Sequence, residues 1–223
     1  MASARQAADR PRTATRACAS SPVPHQTGKL SVSTGRALFE TRAFQCMELM
    51  RDQAGQLQSF IEHNPEYYLM ATGALPGPHE AEEEFDTEPP PEWPYDRKWM
   101  LGFNDCKGAM IGIADLISDL LAPHVWHIGL FIAATALHGT GLPQAMYDGL
   151  EGWIRRQDAR WIRLGVIAGN ARAERFWERQ GYCELRTREL EMGVRVHTVR
   201  VMVKPIGDAD LRHYLDLVAR DRP

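Results

Sequence analysis

The sequence predicts an α/β fold, a β-sheet with helices packed against it, and three observations carry that prediction. From Trp99 onward, short apolar runs and amphipathic stretches alternate in the order hairpin, strand, helix, strand, helix, hairpin. The 223 residues, 44% hydrophobic and 25% charged, have the make-up of one ordinary globular core. Finally, no uninterrupted apolar run approaches the roughly 20 residues that a bilayer-crossing helix needs, so a soluble protein without a membrane partner is expected.

Residues 1–36 are rich in Ala, Ser, Thr, Arg and Pro and poor in large apolar side chains. They cannot bury enough surface to offset the entropy of ordering and are read as a disordered N-terminal tail. The same composition describes an organelle transit peptide, but Val23, Leu30 and Val32 do not make the amphipathic face such a peptide needs, so a tail or a misassigned start is preferred.

Residues 37–206 are assigned to the folded domain. Phe39 to Leu49 supplies a first strand, after which Met50, Ala54, Leu57 and Ile61 recur at helical spacing as far as Asn64-Pro65. Asn64 is expected to cap a second helix with Pro65 at its first position and Gly73 beyond its end. An acidic run follows, from Glu80 through Glu82, Glu83, Glu84 and Asp86 to Glu88, closed by three prolines. It reads first as a solvated helix face or loop and second as a substrate-recognition surface. Lys98 to Phe103 and Ala109 to Ile117 form a hairpin, and Val125 to Ala133 is an apolar strand interrupted by Gly129. In the helix from Leu142 to Arg156, the residues Met146, Leu150, Trp153 and Ile154 share one stripe. Then come a strand from Trp161 to Ile167, a short helix from Ala171 to Gln180, and two strands, Tyr182 to Leu190 and Val194 to Val203. Residues 207–223 form a C-terminal helix and tail whose apolar side, with Leu211, Tyr214, Leu215 and Val218, packs on the domain or on a second copy in a homodimer.

Net charge is −3, but it is unevenly spread. The tail holds six Lys/Arg against Asp9 alone, a balance of +5, while the remainder carries 20 basic and 28 acidic residues, or −8. An acidic body argues against a nucleic-acid partner and suits a cationic substrate. Cys18, Cys46, Cys106 and Cys183 are scattered, with no CxxC pair and no Cys/His cluster at metal spacing, so neither a metal site nor a disulfide framework is encoded. A reducing, cytoplasmic location follows from that usage.

The most informative segment is His138-Gly139-Thr140-Gly141-Leu142-Pro143, two glycines between an apolar strand and an amphipathic helix. Glycines let the backbone turn tightly toward an anion, and free amides with the helix dipole favour negative charge there. The segment lacks the Gly-Lys-Ser/Thr ending of a P-loop, and Gln144 stands where a dinucleotide fingerprint has its third glycine. About 30 residues downstream stands Gly169-Asn-Ala-Arg-Ala-Glu-Arg-Phe-Trp-Glu-Arg-Gln-Gly-Tyr182.

Together the two segments resemble the GNAT acetyltransferase family. His138 to Pro143 is similar to its Gln/Arg-x-x-Gly-x-Gly/Ala pyrophosphate loop. Asn170, Ala173, Phe176, Trp177, Gly181 and Tyr182 match its Asn-x-x-Ala-x-x-Phe-Tyr-x-x-x-Gly-Phe segment. The resemblance extends from Phe39 to Pro205, with its motifs between Gly129 and Tyr182, and Tyr67 to Gly77, Gly102 and Trp126 to Leu130 are similar to a bacterial branch of the family. It implies a mixed, mostly antiparallel sheet with helices on both faces, splayed between the strand before the loop and the strand from Trp161 to Ile167. It implies acetyl-CoA as co-substrate, with no metal, and transfer of the acetyl group to a primary amine in a ternary complex. The loop, with Gln144 at its end, would hold the pyrophosphate. Backbone groups near Ile132 and Ala133 would bind the pantetheine arm and the thioester carbonyl, where an aimed dipole stabilises developing charge. Asn170 would hydrogen-bond the arm, and Phe176 would pack beside it. By position alone, Asn170 also reads as a helix cap and Phe176 as core.

Three departures stand out. His138 replaces the family's Arg or Gln, and Pro143 replaces Gly or Ala, deleting one amide donor. Trp177 occupies the place of a tyrosine that many relatives use as general acid, and an indole cannot serve as one. Deprotonating an ammonium of pKa about 10 needs a base; Asp115 and His127 are the candidates by position, each also explicable as a structural polar residue. These departures leave a second reading open, a GNAT-fold sensor or interaction module without transferase activity. The acceptor, a small-molecule amine in the first reading, is left unnamed by the sequence.

Overall fold

The structure, a computed structural model, describes residues 37–223; the tail read at residues 1–36 lies outside the described residues. Eight strands form one open sheet. In chain order they are β1 (Ala37–Glu40), β2 (Phe44–Glu48), β3 (Arg97–Asp105), β4 (Met110–Ser118), β5 (Val125–Ala133), β6 (Trp161–Ile167), β7 (Cys183–Met192) and β8 (Arg195–Pro205). Their order across the sheet is β1-β2-β3-β4-β5-β6-β8-β7. Every neighbouring pair is antiparallel except β5 and β6, whose connection runs through a helix. The mixed, mostly antiparallel sheet implied by the resemblance is therefore present.

The helices are α1 (Ala54–His63), α2 (Glu66–Ala71), α3 (Glu80–Asp86), α4 (Leu142–Arg155), α5 (Ala171–Arg179) and α6 (Leu211–Leu217). Side-chain alternation along the strands sends successive residues to opposite faces. Leu101, Phe103, Ala114, Leu116, Ile162 and Leu164 thus join Met146, Leu150 and Trp153 of α4 and Trp177 of α5 in one core. Met100, Ile113, Leu130 and Ile132 turn the other way, onto Leu57, Phe60 and Ile61 of α1 and Tyr68 of α2. On that second face Tyr214 of α6 and the following Val218 cover Val125, Trp161 and Val203, so the apolar side of the C-terminal helix is engaged by its own sheet.

Three local expectations are revised. The first strand is two, because the hydroxyl of Thr41 accepts hydrogen bonds from the amides of Ala43 and Phe44 and turns the chain back into a hairpin. Asn64 does not cap α2, where Pro65 takes the cap position. Its side chain instead donates to the Phe60 carbonyl at 2.8 Å and accepts from the Thr135 amide at 2.8 Å, tying the end of α1 to the segment beyond β5. The C-terminal helix is shorter than its apolar pattern, starting after Asp210, whose carboxylate accepts from the His213 amide at 2.8 Å.

One irregularity positions the site. Asp115 lies opposite Leu130 and the next residue, Leu116, lies opposite Ile128, which leaves Gly129 as a β-bulge. The parallel ladder from β5 to β6 covers only Val125 to Ile128 against Trp161 to Leu164. Beyond the bulge the two strands part, leaving one edge of Leu130 to Ala133 without a partner strand among the described residues.

Candidate active site

A one-turn 3-10 helix, Thr135–Leu137, and the segment from His138 to Gly141 join β5 to α4. Gly139 and Gly141 have φ of +81° and +83°, a region that side chains with a Cβ resist, and apart from its chain neighbours a Cβ on either would meet no atom of the described residues within 4 Å. The loop is braced from within. The Thr140 hydroxyl donates to the Leu137 carbonyl at 2.7 Å and accepts from the Leu142 amide at 3.2 Å. The amides of Gly139, Gly141 and Gln144 find no acceptor among the described residues. The start of this 14-residue helix therefore presents free donors together with the positive end of its dipole.

Where β5 and β6 part, a cavity of about 420 Å³ opens between α2 and α5. Ile132, Ala133, His138, Gly139 and Pro143 line it on the loop side. Asn170, Ala173, Phe176 and Trp177 line it from α5 and its cap. Thr140, Gly141, Leu142 and Gln144 are not on the cavity wall. Leu142 packs on the core, and Gln144 exchanges hydrogen bonds of 2.7 and 2.6 Å with Gln180, fastening α4 to α5. Asn170 caps α5, its side-chain oxygen accepting from the Ala173 amide at 3.2 Å, while its NH₂ group has no partner among the described residues. Phe176 stacks on Phe131 with ring centroids 6.1 Å apart, and Trp177 is buried edge-on against Tyr147 and Tyr182.

Sequence reasoning passed over Arg172 and Tyr67, both on this wall. The guanidinium of Arg172 meets His138 Nδ1, which must accept and so leaves the ring proton on Nε2. Arg172 stands inside the Asn170 to Ala173 motif, so its place on α5 was readable, whereas its contact with His138, 34 positions away, was not.

Asp115 and His127 lie on a second cavity of about 350 Å³, under α3. His127 is walled in: Nδ1 sits 3.1 Å from the Arg163 carbonyl, and burial, then the charges of Arg163 and Arg188, push its pKa down to about 3. Asp115 is 8% exposed; Oδ2 is 3.6 Å from Lys98 Nζ, and Oδ1 is closed off from water without a hydrogen-bond partner among the described residues. Burial raises its pKa to about 7 despite that ammonium. Tyr67 lines both cavities. Among the described residues no group of three or more His, Cys, Asp or Glu is placed to hold a metal ion, and no helix is long and apolar enough to cross a membrane.

The profile of the Acetyltransferase (GNAT) family matches residues 57–182, more than half of the chain and both motif segments. The chain belongs to the GNAT acetyltransferase family. Solved GNAT structures share its fold at low identity. The ribosomal-protein-S5-alanine acetyltransferase from Vibrio fischeri superposes with a TM-score of 0.60 at 13% identity, over 77% of this chain and 98% of that one. An acetyltransferase from Thermus thermophilus gives 0.56 at 16%, over 77% and 100%. The spermidine N-acetyltransferase from Vibrio cholerae, in complex with CoA and spermine, gives 0.55 at 18%, over 73% and 95%. No curated protein matches the sequence.

Proposed function

We propose that this GNAT protein transfers the acetyl group of acetyl-CoA to a primary amine, with the co-substrate in the cavity of the strand splay and the acceptor in the cavity under α3. The observation that carries the reading is that these two cavities share Tyr67 and adjoin one another where β5 leaves β6.

The residues present fit CoA. The free Gly139 amide on the cavity wall, with His138 and Arg172 beside it and the free amides of Gly141 and Gln144 just outside that wall, suits a pyrophosphate. The unpartnered edge of β5 and the free NH₂ of Asn170 suit the amides of the pantetheine arm. Bound there, acetyl-CoA would supply the activated acyl thioester.

The acceptor arrives as an ammonium ion and must lose a proton before its nitrogen can attack. Asp115 is the residue for that task, because its side chain lines the cavity and its raised pKa lies near neutrality, where a base both exists ionised and holds the proton. His127 suits it poorly, since a ring with a pKa near 3 takes up little proton from an ammonium. The amine nitrogen then forms the new C–N bond as the C–S bond breaks; the sulfur takes the bonding pair, and the second proton, shed by the acylated nitrogen, passes to the departing thiolate through solvent. Edge amides of β5 would donate to the carbonyl oxygen as charge grows on it. Trp177 offers no acid, so the thiolate leaves without a side-chain donor from that position.

A thiol-release assay with acetyl-CoA and a panel of primary amines tests the reading. Amine-dependent release supports it; binding of acetyl-CoA with no release from any amine would favour the non-catalytic module.

A further inference from the structure

The cavity under α3 has a polarity of its own. The acidic run folds into α3 and its flanks, and helical spacing sorts its carboxylates. Glu80, Glu83 and Glu84 turn to the cavity with Glu88 beyond them, whereas Glu82 faces His79 outside and Asp86 pairs with Arg51. Two of the inward carboxylates have protein partners, Glu80 accepting from the Gly77 amide and Glu84 from the Tyr68 hydroxyl, both at 2.9 Å. Glu83 and Glu88 make no side-chain hydrogen bond or ion pair among the described residues. Asp115 is an independent sign of a missing ligand: a residue more than nine-tenths buried that lines the same cavity, with one carboxyl oxygen, Oδ1, closed off from water and without a partner among the described residues. A buried, unpaired carboxylate oxygen is costly, and a positive hydrogen-bond donor is the partner that removes the cost. Between the free rim carboxylates and this floor the wall is apolar or aromatic, with Ile117, Leu120, Leu130, Trp93 and Met192.

From this arrangement we infer that the acceptor is an aliphatic amine with a second cationic group at its far end, its reacting nitrogen on Asp115, its methylenes along the apolar wall and its distal ammonium between Glu83 and Glu88. The inference rests on the transferase reading only for the fate of the reacting nitrogen; recognition of the dication is a property of the cavity itself. Lys98 contributes one positive charge next to Asp115, but its ammonium is held by the carbonyls of Glu84 and Thr87, leaving Oδ1 free. A volume of about 350 Å³ lies within the range of small-molecule sites.

The test compares 1,6-diaminohexane with 6-amino-1-hexanol, two acceptors of nearly equal length that differ in the distal charge. Calorimetric titration of each into the full chain without acetyl-CoA reads the cavity, and thiol release with acetyl-CoA reads transfer. The diamine is expected to bind at least tenfold tighter and to show a kcat/KM at least tenfold higher. Glu83→Gln combined with Glu88→Gln should erase both preferences while acetyl-CoA affinity stays unchanged, the exposed positions making misfolding no obstacle. Diamine binding without any thiol release would support the dication site and sink the transferase reading. Equal binding of the two compounds, or a preference that survives the double variant, would overturn the inference.

Discussion

Gly129 and Asp115 face one another across β4 and β5 so closely that a Cβ on Gly129 would lie 3.1 Å from Asp115 Oδ2. The bulge that ends the ladder to β6 therefore also sets the carboxylate in the cavity under α3. If Asp115 is the base, kcat/KM should rise with pH to a plateau above about 7, because only the ionised carboxylate accepts a proton. Asp115→Asn should lower kcat/KM by about 10²- to 10⁴-fold and abolish this limb of the profile, leaving acetyl-CoA affinity unchanged. A variant that keeps both rate and profile would remove Asp115 from the reaction.

The same group makes a stability prediction. Its folded pKa of about 7 lies above the ordinary 3.8, so protonation favours the folded state. This contribution is fully present below pH 4 and is lost as pH rises through 7. At about 1.36 kcal/mol per pKa unit, the parent should lose up to about 4 kcal/mol relative to Asp115→Asn between pH 4 and 8, an upper bound because Lys98 and solvent relax around the charge. Chemical denaturation of both proteins across that range reads the slope, which is insensitive to any constant offset from the lost contact with Lys98.

Much of the fold was legible because its elements carry strong local patterns. The strand from Trp161 to Ile167 and the stripe of α4 fall where periodicity puts them, and the break at Gly129 was visible as a glycine in an apolar run. The loop was legible for the same reason, its two positive-φ positions both being glycine. The cavity under α3 was not legible. The spacing of Glu80, Glu83 and Glu84 marks one helix face, but which face turns inward is decided by α3 docking over β3, where Lys98 holds its last carbonyls. The role of Asn64 was hidden likewise, since its partner Thr135 is 71 positions away.

Arg163 and Asp221 form a two-pronged ion pair, with bonds of 2.7 and 3.0 Å, that fastens the C-terminus to β6 with both side chains out of water. The Arg163 guanidinium and the Tyr214 hydroxyl hold the Asp221 carboxyl below the ordinary range against the opposing effect of burial, so the pair's contribution is lost as pH falls through that lowered value. Asp221→Asn should cost about 3 to 5 kcal/mol at neutral pH, since Arg163 would keep its buried charge without a counter-ion. A melting temperature within about 2 °C of the parent, well inside what such a loss produces, would refute it.

Pro143 lines the cavity between α2 and α5 from the first turn of α4 and has no amide to offer a pyrophosphate bound there. Pro143→Gly adds a donor aimed at a charged oxygen, and charge-assisted bonds are typically worth about 1.5 to 3 kcal/mol, so acetyl-CoA affinity should rise by about tenfold or more. Free-protein stability should fall by about 0.4 to 1 kcal/mol as glycine loosens the unfolded chain. Titration and denaturation of the same variant separate the two effects.

The proposed transferase activity requires acetyl-CoA to lie on the loop from His138 to Pro143, and calorimetric titration of acetyl-CoA into the parent and Gly141→Val tests that placement most directly. Gly141 holds φ at +83° with open space where a side chain would point, so valine strains the turn and intrudes on the phosphate position without meeting the protein core. Saturable one-site binding by the parent, and loss of at least about 100-fold in affinity by a variant that still melts cooperatively, is the result predicted. A parent that does not bind, or a folded variant that binds as tightly as the parent, would contradict the assignment of this loop as the phosphate site.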